Sequence, residues 1–293
     1  MLAPKLIIAL AACLAAAPPQ AAEWRVMSFN IRYGTAGDGP DAWPARCGMV
    51  NGLIRREAPD ILGLQEALRF QLDELRAAMP EYAEVGVGRD DGREAGEYAA
   101  ILFRVDRFQL LDSGNFWLSD APSVPGSRSW GNNVTRIATW ARLRERATRR
   151  TVTIYNVHLD HESQHSRERG ALLLLERIRA RGNDDPVLVT GDFNAGEDNP
   201  AVAAMRAAFT DTHRALHPTD TLVGTFNGFR GTATGPKIDY IFASPGVEAI
   251  ESRIERGHED GRYPSDHFPV IVRVRVPGAR RGRSRDGRTR WRS

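Results

Sequence analysis

The stretch Val187-Leu-Val-Thr-Gly-Asp-Phe-Asn194 decides how the rest of the chain is read. Val187 to Val189 is a short apolar, β-branched run, which predicts a buried strand. Thr190-Gly191 is read as its break, and Asp192 and Asn194 then stand two apart at its C-terminal end. In extended backbone that spacing puts both side chains on one face. A carboxylate and a carboxamide then project together from the end of a core strand, where α/β folds place their chemistry. Asp and Asn also form local turns, so the stretch takes its meaning from what the rest of the chain repeats.

It repeats often. Trp24 to Asn30 alternates and ends in Asn30. Asp60-Ile-Leu-Gly-Leu-Gln-Glu66 is an apolar run closed by a carboxylate, with Gln65-Glu66 read as opening a helix that turns Leu68, Leu72 and Leu75 inward. Glu97-Tyr-Ala-Ala-Ile-Leu-Phe103 is a strand that begins with a carboxylate. Arg136–Arg144 and Arg150–Leu159 read as a hairpin, its second strand setting Asn156, His158 and Asp160 on one face. Lys237 to Phe242 carries Asp239 inside its alternation, and Asp266-His267 feeds the last strand, Phe268 to Val276. Helices are predicted over Trp43–Ala58, His161–Arg181 (Leu172, Leu175 and Ile178 inward) and Ala201–Leu216. Shorter strands are predicted over Tyr82–Arg89, Phe108–Leu111 and Phe116–Leu118.

Carboxylates, amides and two histidines gathered from six strand ends suit a hard divalent cation with oxygen ligands. Mg²⁺ or Mn²⁺ is expected rather than a zinc cage, for which Cys/His clusters would be needed. A metal beside two histidines suits the charge of a phosphoryl transition state.

The segments "MSFNIR", "ILGLQE", "YNVHLD", "TGDFN", "KIDYIF" and "SDHFPV" stand in the order and spacing of the endonuclease/exonuclease/phosphatase superfamily, which the chain resembles from about Trp24 to Val276. The resemblance implies an α/β (α+β) fold, a four-layer α/β/β/α sandwich of two mixed sheets with the active site at one rim. It implies that Glu66 and Asp266 bind the metal with Asn30 beside them, and that Asp192 deprotonates the attacking water with Asn194 in support. It also implies that His267, held by Asp239, and His158, held by Glu97, face the phosphate as imidazoliums. The implied enzyme is a metal-dependent phosphoric ester hydrolase, most readily a phosphodiesterase, acting as a monomer on a phosphate ester. Nucleic acid is among the family's substrates. A nuclease with the same mechanism and a catalytically silent binding protein are the rival readings; the intact motif set counts against the second.

Length and charge complete the expectations. The chain has 293 residues, 42% of them hydrophobic, enough for one large core. Residues 1–22 read as a signal peptide: Lys5, an apolar run from Leu6 to Ala17, then Ala21-Ala22. That run is too short to span a membrane, and an exported or periplasmic chain is expected, with lipid anchoring at Cys13 the lesser alternative. Without Cys13 the only cysteine is Cys47, so no internal disulfide is expected. The catalytic domain is expected over 23–277, followed by a basic disordered tail over 278–293. Arg280–Ser293 carries a net +6 against +3 for the whole chain, leaving −3 elsewhere, so the body is no strongly basic nucleic-acid binder. His161, His165, His213, His217 and His258 are expected at surfaces or helix ends. Trp117, Trp130, Phe226 and Phe229 are expected mainly as packing.

Overall fold

The computed structural model describes residues 21–276; the leader and tail expectations fall outside them, apart from Ala21 and Ala22 at the leader's end. In chain order the elements are β1 (Ala22–Asn30), α1 (Trp43–Glu57), β2 (Ile61–Ala67), α2 (Arg69–Ala78), β3 (Tyr82–Val85), β4 (Tyr98–Arg104), β5 (Phe108–Trp117) and β6 (Ile137–Glu145). Then come β7 (Thr151–His158), α3 (Gln164–Arg179), β8 (Val187–Asp192), α4 (Pro200–Arg206), β9 (Thr210–Asp211), α5 (Thr212–Leu216), β10 (Asp239–Ala243), β11 (Glu248–Ile254) and β12 (Val270–Val276).

Two six-stranded sheets form, β11-β12-β1-β2-β4-β3 and β5-β6-β7-β8-β10-β9. Each has one parallel pair, β1 with β2 and β7 with β8, among antiparallel neighbours. The sheets bury Trp24, Val26, Ile101, Leu188, Ile241 and Val272 between them. Outside the first sheet, α1 and α2 cover Met27, Phe29, Leu62 and Leu64. Outside the second, α3 and α4 cover Val157, Val189 and Phe193. The four-layer sandwich expected from the resemblance is what the chain adopts.

A polar knot ties the sheets together behind the rim. Asn156 Nδ2 donates to Leu64 O at 2.7 Å and to Ala100 O at 2.8 Å; its Oδ1 accepts Gln65 Nε2 at 2.6 Å and Thr190 Oγ1 at 3.0 Å. Buried amides of this kind are tolerated because they are paired. Gly63 admits the knot, since a Cβ there would lie 2.1 Å from Thr190 Oγ1.

Several element boundaries differ from the sequence reading. Thr190-Gly191 does not break its strand: β8 runs through to Asp192. Glu66 does not open a helix; it lies in β2 at a bulge with φ of 65°, and α2 starts at Arg69. Bulges and their left-handed backbone leave little trace when the residue is not Gly. Tyr82–Arg89 shortens to β3, while the two pieces around residues 108–118 join into the bulged β5. The helix expected over Ala201–Leu216 is two short helices separated by β9, because Asp211 turns back to accept the backbone N–H groups of His213 and Arg214 as an N-cap. On α3, Leu174 faces inward and Leu172 is exposed. β11 leaves no clear alternation in the sequence, because its outer face is polar. Asp160 leaves the face of Asn156 and His158 because β7 stops at His158; its Oδ1 instead accepts the N–H groups of Glu162 and Ser163. Cys47 is a free thiol, and no described helix is long and apolar enough to cross a membrane.

Candidate active site

Strand register assembles the centre of the site. His158, Asp192 and Asp239 lie side by side on β7, β8 and β10, paired His158 to Asp192 and Asp192 to Asp239. Asn30 ends β1, Glu66 sits in the β2 bulge, Glu97 precedes β4, and Asp266-His267 occupies the loop before β12. A cavity of about 600 Å³ opens over them, lined by Glu66, Glu97, His158, Asp192, Asn194, Asp266 and His267. Of the expected site residues, Asn30 and Asp239 stand directly beneath that lining, hydrogen-bonded to Asp192 and His267 respectively.

Asp192 is fully buried at the middle. Asn30 Nδ2 donates to its Oδ2 at 2.9 Å and the Asn194 backbone N–H to its Oδ1 at 2.9 Å. His158 Nε2 and His267 Nε2 stand 3.6 and 3.9 Å from Oδ2. Burial, reinforced by Asp239, pushes the Asp192 carboxyl up to about 7.

The two histidines differ in charge. His267 Nδ1 lies 2.9 Å from Asp239 Oδ2. Burial opposes its charge, but Asp239, Asp192 and Asp266 together hold the imidazolium well above the ordinary range. His158 has no such support. Its expected partner Glu97 is 3.9 Å from Nδ1, beyond hydrogen-bond reach, because Arg89 Nη1 holds that carboxylate at 2.6 Å. Asn194 Nδ2 donates to Leu159 O at 3.1 Å, which fixes the amide orientation; its other hydrogen points at His158 Nε2, 3.0 Å away. His158 Nε2 is therefore an acceptor and the ring is neutral. Burial, with the Arg136 and Arg89 charges, drives its pKa well below normal. The expectation of two imidazoliums is thus corrected to one. Burial pushes Glu97 up to about 7 against the pull of Arg89.

On the other wall Asn30 Nδ2 also donates to Glu66 Oε1 at 3.0 Å, and Glu66 Oε2 accepts the Tyr33 N–H at 3.2 Å. The Asn30 Oδ1 accepts the Arg32 N–H at 2.9 Å, while its Nδ2 braces the two carboxylates. Asp266 Oδ1 lies 3.2 Å from Ser265 Oγ and the carboxylate faces Arg32 Nε at 3.7 Å; burial raises its pKa, with Glu66 adding to the rise. Crowded, under-compensated carboxylate oxygens with no thiolate among them fit a hard divalent cation. Donor atoms of Glu66, His158 and Asp192 also come within 4.8 Å of one another, as do those of Asp192, Asp239 and His267.

Two arginines at the site carry no signal in the sequence, and His161 and Phe226 join the cavity lining although expected as surface and packing residues. Arg89 and Arg136 form a guanidinium wall beyond His158, and Arg136 Nη2 meets His161 Nδ1 at 2.7 Å, which brings His161 into the cavity lining. Phe226, half exposed, lines the opposite side and sets its ring edge against His267 at 5.2 Å between centroids. It stands at the cavity and not in the core. His213, at the start of α5, is buried against Ser252 with its ring tilted against that of His217 at 4.7 Å between centroids. Among some forty basic residues, nothing in the chain's periodicity marks which arginines turn inward.

Fold and site together define an enzyme class, the metal-dependent phosphoric ester hydrolases. The chain belongs to the Endonuclease/Exonuclease/phosphatase family, whose model matches residues 27–267. A solved family protein from Bacteroides thetaiotaomicron is 31% identical with a TM-score of 0.83, covering 89% of this chain and 97% of that one. A mannosyl-6-phosphatase from the same organism is 32% identical with a TM-score of 0.79, covering 86% and 99%. Nocturnin of Drosophila melanogaster is 24% identical over 87% of this chain, which spans 47% of that protein's length.

Proposed function

We propose that this chain cleaves the phosphate monoester of a small polyhydroxylated compound, by attack of a water molecule held at Asp192. The observation that carries the reading is the setting of Asp192, braced by two N–H donors and flanked by one charged and one neutral imidazole. Ionised Asp192 accepts the proton of the attacking water. The His267 imidazolium donates to the phosphoryl oxygens, and Asp239 keeps it charged and aimed. His158 orients Asn194, whose Oδ1 is left to face the cavity. Glu66 and Asp266 would hold the divalent cation, Mg²⁺ or Mn²⁺, which when bound neutralises charge on the phosphoryl oxygens.

The substrate class rests on the walls. The Arg89–Glu97 pair offers donors and an acceptor side by side, as adjacent hydroxyls require, and Phe226 offers an apolar face for a ring. The likeness to a mannosyl-6-phosphatase points the same way. The acidic body favours a small substrate over a long duplex. The sequence alone favoured a diester. The test is a panel of hexose 6-phosphates, p-nitrophenyl phosphate, its bis ester, single-stranded DNA and RNA, with Mg²⁺ and with EDTA. Hexose phosphates should have the highest kcat/KM; faster cleavage of the bis ester or of nucleic acid would overturn the monoester reading. Export is proposed on the leader pattern of residues 1–22, and sequencing the N-terminus of the protein recovered outside the cytoplasm checks it.

A further inference from the structure

Arg46, on α1, takes no part in the chemistry above and does not line the cavity, yet its guanidinium is fully buried. Among the described residues it makes no hydrogen bond to a carboxylate. Its Nη1 donates to Ile31 O and Pro264 O, its Nη2 to Arg32 O at 2.9 Å, and its Nε to Asp41 O at 2.9 Å. The rings of Trp43 and Phe229 flank it, with its Cζ 5.1 and 5.7 Å from their centroids.

The carbonyls it gathers are not arbitrary ones. Ile31 and Arg32 directly follow Asn30, the brace of Glu66 and Asp192. Pro264 leads directly into Ser265-Asp266-His267, and Ser265 Oγ donates to Asn30 O at 2.7 Å. Phe229 belongs to the loop in which the N–H groups of Asn227 and Gly228 hold Asp266 O, at 2.7 and 3.1 Å. One planar group thus holds together the segment whose Asn30 and Tyr33 brace the Glu66 carboxylate and the segment that carries Asp266, two parts of the chain more than two hundred residues apart. Desolvating a guanidinium is costly unless its donors are satisfied. Only a rigid fork reaches carbonyls in several directions at once.

We propose that Arg46 is a positioning residue for the divalent-cation site, fixing the separation of Glu66 and Asp266 by clasping residues 31–32 to residue 264. The inference rests on those two carboxylates being the ligands. Arg46→Lys keeps the charge and loses the fork. Calorimetric titration of the protein with Mg²⁺ and with Mn²⁺ should show affinity about tenfold weaker than wild type, the scale for supports behind metal ligands. The metal-induced rise in Tm should shrink accordingly, and turnover should recover at saturating metal. Leu53→Ala, a core truncation on the same helix, is the control for mere destabilisation: it should lower Tm without changing metal affinity. Equal metal affinity in Arg46→Lys and wild type overturns the proposal, as does an equal loss in Leu53→Ala. Should Arg46→Lys not fold, Phe229→Leu strips one flanking ring and must still weaken metal binding; unchanged affinity there is equally fatal. Wild-type protein that binds no metal would instead refute the assignment of Glu66 and Asp266, a separate failure.

Discussion

Asn194 turns its side-chain nitrogen, not its oxygen, toward His158, with 3.0 Å between Nδ2 and Nε2. The Leu159 carbonyl fixes that orientation, so the imidazole must accept and its proton sits on Nδ1. Nitrogen-15 spectra of metal-free protein should show His158 as the neutral Nδ1–H tautomer at pH values where an ordinary imidazole is already charged, while His267 stays doubly protonated where an ordinary imidazole has lost its proton. A doubly protonated His158 at pH 6 would show that the site holds two charged rings after all.

The same contrast predicts different mutational coupling. His267→Ala should lower turnover at least roughly a hundredfold, as loss of a charged transition-state donor does. Asp239→Asn acts through His267 across 2.9 Å, so adding it to His267→Ala should cost little more. Glu97 is ion-paired with Arg89 and 3.9 Å from His158, so Glu97→Gln and His158→Ala should be close to additive, with Glu97 coupled to Arg89→Ala instead. Double-mutant cycles on kcat/KM decide both; full additivity in the first cycle would remove Asp239 as the orienter.

How much of this was legible beforehand follows from the kind of signal each residue leaves. His158, Asp192, Asp239 and His267 close or interrupt apolar runs, and a polar residue there is conspicuous because the neighbours are committed to a core. Partnerships are a different matter. Glu97 stands one residue before β4, close to where its strand was expected to start, but its partner is set by Arg89, eight residues back across a loop whose path no periodicity reveals. Glu66 was found while its backbone was misjudged, because a bulge with positive φ is visible only when glycine occupies it. Arg136 leaves no signal because it stands in the loop just before β6, and Arg46 leaves none because a helix residue shows which way it points only if its neighbours alternate cleanly. The weak amphipathicity of α1, whose buried face includes the charged Arg46 and Glu57, gives no such frame.

Metal dependence should separate the two groups of carboxylates. EDTA should abolish activity and Mg²⁺ or Mn²⁺ should restore it. Glu66→Ala should chiefly raise the metal concentration giving half-maximal rate, since its carboxylate is braced by Asn30 and Tyr33 toward the cation side. Asp192→Ala should lower turnover even at saturating metal, because it removes the proton acceptor. Activation curves for both variants provide the check; a normal metal requirement in Glu66→Ala would take that residue off the cation.

Asp192 also sets a conflict between stability and chemistry. Its folded-state pKa is raised from 3.8 to about 7, chiefly by burial and then by Asp239. The fold therefore prefers the carboxylic acid, while the reaction needs the carboxylate. The sign follows from linkage: stability owed to this group is full below its unfolded pKa and is lost as pH rises through about 7. Replacing it with an amide removes the charge and keeps an oxygen for one of the Asn30 and Asn194 donors, at the cost of the other hydrogen bond, a smaller loss than that of holding the buried charge. In EDTA at pH 8, Asp192→Asn should thus melt higher than wild type by at least about 2 °C, the scale set by roughly 1 kcal/mol in a chain of this size. At pH 4 the two should nearly coincide, since wild-type Asp192 is then protonated. Saturating Mg²⁺ should narrow the gap at pH 8, because a nearby cation favours the carboxylate. The activity of Asp192→Asn should be at the floor throughout. Thermal melts at the two pH values suffice: a variant less stable than wild type at pH 8 in EDTA would mean that the buried carboxylate is stabilised in its charged form, and that Asp192 is poised as a base far below neutrality.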